Sequence, residues 1–182
     1  MRTIKISSLS TTEINKAIAQ LNQYKTNLTQ KNEQFVKALG DLGIHVASTR
    51  LGSGEGDADR LGSNNLQFQV TSTGAVVGAK LVLTSQPHTD ERGRVFYPHL
   101  AWEFGAGIYY NRSNSNPKAG EMGFGVGTFP NQIHAFEDEW LYKNEATGKY
   151  ETSHGTEATM PMYTATIEMF DQAVRIAREI FG

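Results

Sequence analysis

No cysteine occurs in the chain, which excludes disulfides and thiolate metal sites and is compatible with a cytosolic or assembled existence. No apolar run approaches the length of a membrane span, and the start, MRTIKISSLSTTEINKAI, lacks the continuous apolar core of a signal peptide. The expectation is a soluble protein that stays in the compartment where it is made. Nor is there an excess of charge of one sign: 17 Lys and Arg against 19 Asp and Glu leave a formal charge of -2. That balance disfavours a protein whose main task is neutralising phosphates, and with it tight nucleic-acid binding.

The signatures of several chemistries are missing as well. The histidines, His45, His88, His99, His134 and His154, never fall at the i, i+4 spacing of a helical zinc pair, so no metal is expected. GFGVG, Gly123 to Gly127, lacks the Lys-Ser/Thr of a P-loop and reads as a loop needing unusual φ values; no cofactor is expected. No Gly-x-Ser-x-Gly elbow is present. Ser153, His154 and Glu157 in TSHGTE are too close along the chain to converge as a triad, because neighbours on an extended chain diverge. A turn before the last helix, with Thr159 as its cap, is the simpler reading.

What is present divides the chain by period. A length of 182 residues with 38% hydrophobic side chains suffices for one domain with its own core. Ser10 lies three residues before Glu13, the spacing of a capping box, and opens a helical region over 10–50. Ile14, Leu21, Leu28, Phe35 and Leu42 recur every seventh residue, but the alternate seam positions Ile18, Lys25, Asn32 and Leu39 are apolar only at the ends. Either one long helix packs its ends on different surfaces, or two helices break near Thr26 to Thr29. From 64 to 155 the chain reads as antiparallel strands. LQFQV alternates Leu66, Phe68 and Val70 against two glutamines, and a Gly-containing turn leads to a second strand around Leu81 to Leu83. RVFYPHLAWEFG is a third extended or mixed segment, and EWLYKNEATGKYETS a hairpin. Between them, 111–135 is a long loop with few aliphatics and little to give a core. A C-terminal helix over 160–181 starts at Pro161, with Tyr163, Ile167, Phe170, Val174, Ala177 and Phe181 as one apolar stripe expected to lie on the sheet. The fold class is therefore α+β: an antiparallel sheet packed against a long N-terminal helical region and a C-terminal helix.

Glu103 is the one acid enclosed by aromatics, Trp102 and Phe104, and it has no identifiable catalytic partner. Its expected work is to accept backbone N–H groups or pair with a basic side chain, fixing geometry instead of reacting. Gly105 and Gly107 then let the chain turn. Trp102, Trp140 and Met162 are assigned to packing beneath the last helix, and of Tyr109 and Tyr110 one is expected in the core and one at an interface.

Two stretches carry a resemblance. WEFGAGIYYN, Trp102 to Asn111, and HGTEATMPMYTA, His154 to Ala165, resemble the paired signatures of the minor tail-component family of tailed phages, with the GFGVGTFPNQ loop and WLYKNEATGKYETS hairpin in the family's order. The family often has small or positively charged residues where Thr156 and Glu157 stand, a departure that bears on partner contacts at that turn. The resemblance implies a non-enzymatic neck or tail-completion subunit that forms a homo-oligomeric ring in the virion. Its partners would be connector or head-closure proteins and tail-tube or tail-terminator proteins, with DNA passing through the lumen without specific binding. It also marks Trp102, Glu103, Phe104, Gly105, Gly107, Trp140, His154, Gly155, Pro161 and Tyr163 as motif residues, and Tyr109, Tyr110 and Phe124 as interface candidates. A tail-terminator ring is the rival within that class, and a small hydrolase using Glu103 or His154 the rival outside it.

Overall fold

Ser10 sets the first boundary. Its hydroxyl accepts the Glu13 N–H at 3.3 Å, and the helix that follows, α1 (Thr11–Leu51), runs 41 residues without a break. The structure, a computed structural model, describes residues 10–52, 66–73, 76–89, 93–112, 116–122, 132–144 and 147–182. The weak helix formers at the middle of α1 do not interrupt it. The Thr26 and Thr29 hydroxyls donate back to the carbonyls of Asn22 and Lys25, at 3.1 Å each, which keeps both side chains satisfied within the helix. One long helix, about 60 Å at 1.5 Å per residue, is therefore the outcome.

The C-terminal part of α1 enters the body of the fold, and Ala17 in its N-terminal part is buried as well. A Cβ on Gly40 would fall within the Phe68 ring, and one on Gly43 would meet the Met169 sulfur at 2.7 Å and Leu81 at 3.1 Å. These glycines, which cost about 1 kcal/mol each in helix propensity, are notches that admit a strand side chain on one and a helix side chain on the other. The strand side chains come from a hairpin of β1 (Leu66–Thr73) and β2 (Val76–Leu83), paired antiparallel with Phe68 opposite Leu81. Leu66 and Phe68 are half-buried on α1, while Val70, third in the alternation, is exposed.

The last helix, α3 (Pro161–Phe181), lies antiparallel to α1: Phe181 packs edge-on to Phe35 with ring centroids 6.1 Å apart, and Met169 reaches Gly43. Its principal neighbour is α1, not a sheet, and its buried face is Pro161, Ala165 and Ile176. The stripe expected to face inward is largely outside, with Phe170 75% and Val174 61% exposed and Ile167 exposed as well. α3 is apolar on two faces, and the one bearing small Ala165 permits the closer approach to Gly43.

The remaining strands form two more hairpins, so among the described residues the antiparallel part of this α+β fold is three two-stranded units. β3 (His88–Thr89) pairs with β4 (Val95–Phe96), and β5 (Trp140–Lys143) with β6 (Tyr150–Ser153) around Gly148, whose φ is +66°. Between β4 and β5 the segment expected to be extended or mixed is a short helix, α2 (Pro98–Phe104), with Pro98 in its first turn. Neither α2 nor α3 has a side-chain cap from its own preceding residue. Each is capped from elsewhere: the His99 N–H of α2 donates to the Ser85 hydroxyl at 3.2 Å, and α3 is capped by Glu103. Ala101, Phe104, Ala106 and Ala119 form a small buried cluster with Phe96 and Leu100 against it. Among the described residues no helix is long and apolar enough to cross a membrane.

Candidate functional site

The two motif segments meet. Trp102, buried in α2, presents its carbonyl to the N–H groups of Thr159 and Met160, at 3.0 and 3.1 Å. One residue on, Glu103 accepts the Met162 N–H on Oε2 at 2.8 Å and the Tyr163 N–H on Oε1 at 3.0 Å. Both donors belong to the first turn of α3, where four N–H groups lack helical partners and the helix dipole favours negative charge. The Asn116 amide donates to Oε1 at 2.6 Å. Burial pushes the Glu103 carboxyl above its ordinary range, and the N–H donors of Met162 and Tyr163 and the Asn116 amide pull against that shift. Every observed partner of the carboxylate is a donor that fixes it in place. Glu103 is thus a cap supplied across 58 residues of chain to Pro161, and Thr159, the expected cap, instead donates its hydroxyl to the Trp102 carbonyl at 3.4 Å. Met160, at the cap position, takes φ 52°, a left-handed conformation held by the N–H bonds to Trp102.

Beyond α2 the chain turns back through Gly105 and Gly107, with φ of +79° and +72°, values that an L side chain rarely adopts. Between them Ala106 forms an isolated antiparallel bridge with Thr156, both N–H···O bonds at 2.9 Å. Gly155, φ +88°, has no room for a Cβ, because that atom would overlap the Ala106 carbonyl oxygen. Asn111 closes the junction. Fully buried, its amide donates to the carbonyls of Gly107 and Thr156 and its oxygen accepts the Ala158 N–H, all at 2.9 Å. In the sequence both Asn111 and Asn116 fall in the long loop expected over 111–135. The structure makes them, with buried Ala119, part of the interior, so the start of the 111–135 segment contributes to the core after all.

The aromatic motif residues are distributed differently from expectation. Tyr109 and Tyr110 are both exposed, meeting edge to face with centroids 4.9 Å apart, so neither is a core residue. Tyr109 also lies against the His154 ring at 4.6 Å, and the His154 Nδ1 is buried without a hydrogen-bond partner among the described residues. Trp140 is not beneath α3. It stacks flat on His134, centroids 4.3 Å apart, and its ring edge packs over Gly107 and Gly155. Phe124 lies outside the described residues.

Trp140 and His134 form one wall of a cavity of about 360 Å³ that Phe96, Ile133, Tyr142 and Thr156 continue. Gln132, also on the wall, accepts the Gly107 N–H at 2.8 Å, which ties this cavity to the motif junction. Its interior is largely apolar, suited to receiving an apolar or aromatic group. The residues of the TSHGTE stretch do not converge: the Ser153 hydroxyl, on the cavity, accepts the Gly155 N–H at 3.1 Å, His154 packs on Tyr109, and Glu157 is exposed. No group of three His, Cys, Asp or Glu able to hold a metal occurs among the described residues. No protein-family model, curated protein or solved structure matches the chain.

Proposed function

We propose that this chain is a structural subunit of a tailed-phage virion, a ring-forming neck or tail-completion protein at the head–tail junction. The observation that carries the reading is the extent of apolar surface left open on two helices. Ile14, Ile18, Leu21, Tyr24 and Leu28 on α1, and Ile167, Phe170 and Val174 on α3, are all exposed. Contiguous apolar surface of this kind marks a protein that works in an assembly. The motif junction fits the same reading, because its acid, Glu103, and its asparagines are engaged in holding backbone together. The near balance of charge suits a lumen through which DNA passes without being held.

The test is to abolish expression of the chain during infection and image the products. A neck subunit leaves filled heads and separate tails of normal length. Overlong tails would assign the chain to tail termination instead, since a missing cap no longer limits tube growth. Intact, infectious virions would contradict both readings. A hydrolase reading would require turnover lost in Glu103→Gln or His154→Ala while the variant still folds.

A further inference from the structure

α1 and α3 already pair within the chain, antiparallel, with Phe35 against Phe181 and Gly43 against Met169. α3 ends at Lys31, whose ammonium donates to the Phe181 carbonyl at 3.4 Å. The first 20 residues of α1, about 30 Å of helix, extend beyond that end. Ile14, Leu21 and Leu28 continue along that stretch the heptad line on which Phe35 meets α3, with Ile18 at the alternate seam position. The stripe of Ile167, Phe170 and Val174 lies on the side of α3 turned away from its buried face.

We propose that the projecting half of α1 seats on the outer face of α3 in a second copy of this chain, antiparallel, repeating between subunits the pairing already made within one. The inference rests on the self-assembly part of the functional reading and deepens it. Three features select this occupant. The spacings agree: Ile14, Ile18 and Leu21 are separated by four and three residues, and Val174, Phe170 and Ile167, read in the opposite direction, by four and three. The charges agree in the same register. With Ile18 opposite Phe170, Glu13 falls opposite Arg175, of opposite sign. One contact also covers both stripes, whereas pairing α1 with another α1 would leave Phe170, at 75% exposure, in water. Because the two faces differ, the contact is heterologous and propagates from copy to copy, closing into a ring when the rotation per subunit permits.

The absence of cysteine makes a direct test possible in the full-length chain. Ile18→Cys and Phe170→Cys are made separately, checked for native circular dichroism, and oxidised alone and as an equimolar mixture, with wild-type sedimentation measured in parallel. The expected result is a disulfide-linked dimer dominating the mixture and absent from either variant alone. Dimers of Ile18→Cys alone would overturn the proposal in favour of an α1–α1 seam. An oligomeric wild type whose mixed variants do not cross-link would overturn the proposed faces and leave the ring reading standing. A wild type monomeric at every concentration would overturn both. Should Phe170→Cys prove unstable, Val174→Cys paired with Ile14→Cys carries the same expectation and the same contradiction.

Discussion

At Glu103 a single atom separates the native carboxylate from its amide. Glu103→Gln keeps one oxygen to accept Tyr163 and Asn116 but turns an N–H₂ toward the Met162 N–H, leaving a buried donor unmet. The expected cost is about 1–3 kcal/mol in urea unfolding at neutral pH. The pH dependence has a definite sign. Because burial raises the folded carboxyl above its ordinary value of 4.5, the folded state binds this proton more readily than the unfolded chain. The associated stability is fully present below 4.5 and is lost as pH rises through the folded value. The wild type should therefore be more stable relative to Glu103→Gln at the acid end of that window, and a constant difference from pH 4 to 7 would contradict the burial argument. Gly155→Ala should be at least as damaging, about 3 kcal/mol, since its Cβ both requires a left-handed conformation and overlaps the Ala106 carbonyl. A melting temperature within about 2 °C of wild type would show that the bridge to Thr156 is dispensable. The role of Glu103 was legible from an acid set between Trp102 and Phe104 with no catalytic partner. That of Asn111 and Asn116 was not, because a buried asparagine and a loop asparagine look alike until the carbonyls they serve, 45 residues distant for Thr156, are placed.

Among the elements, α3 separates what periodicity can say from what it cannot. The helix itself was readable from Pro161 and from regular apolar spacing, but the spacing supports two overlapping stripes and does not rank them. Steric access decides: the notch at Gly43 receives Met169, which fixes the rotation and leaves Phe170 outside. Phe170→Asp should accordingly change the stability of the isolated subunit by no more than about 0.5–1 kcal/mol. A collapse of the fold on thermal melting would show that Phe170 is internal. The segment from Asn111 to Gly125 reverses in the other direction. Its composition suggested a loop with little to give a core, yet it supplies Asn111, Asn116 and Ala119 to the interior, so replacing it with a short Gly-Ser link should abolish cooperative unfolding. Retention of a native melt would mean these contacts contribute little. The segment of α2 reads as extended or mixed because its aromatics favour strands in isolation, whereas Pro98 and the Ser85 hydroxyl start a helix there.

Over the whole molecule, the legible part was the α+β class, with its long first and last helices, and the pairing of the two hairpins β1–β2 and β5–β6. The part not legible was how much apolar surface remains uncovered once the elements have packed. A pattern of apolar residues states which side chains avoid water, not whether they do so within one chain or between several. α1 makes the distinction concrete: one heptad line is folded against α3 at Phe35 and open to solvent from Ile14 to Leu28. The central claim is that this open surface is completed by further copies. The most direct measurement is mass photometry of the purified chain over a range of concentrations, with the same sample imaged by electron microscopy. The expected result is one closed oligomer, a ring with an axial lumen, growing at the expense of monomer as concentration rises. A monodisperse monomer up to the highest soluble concentration, with Phe170 still exposed to oxidative labelling, would contradict it.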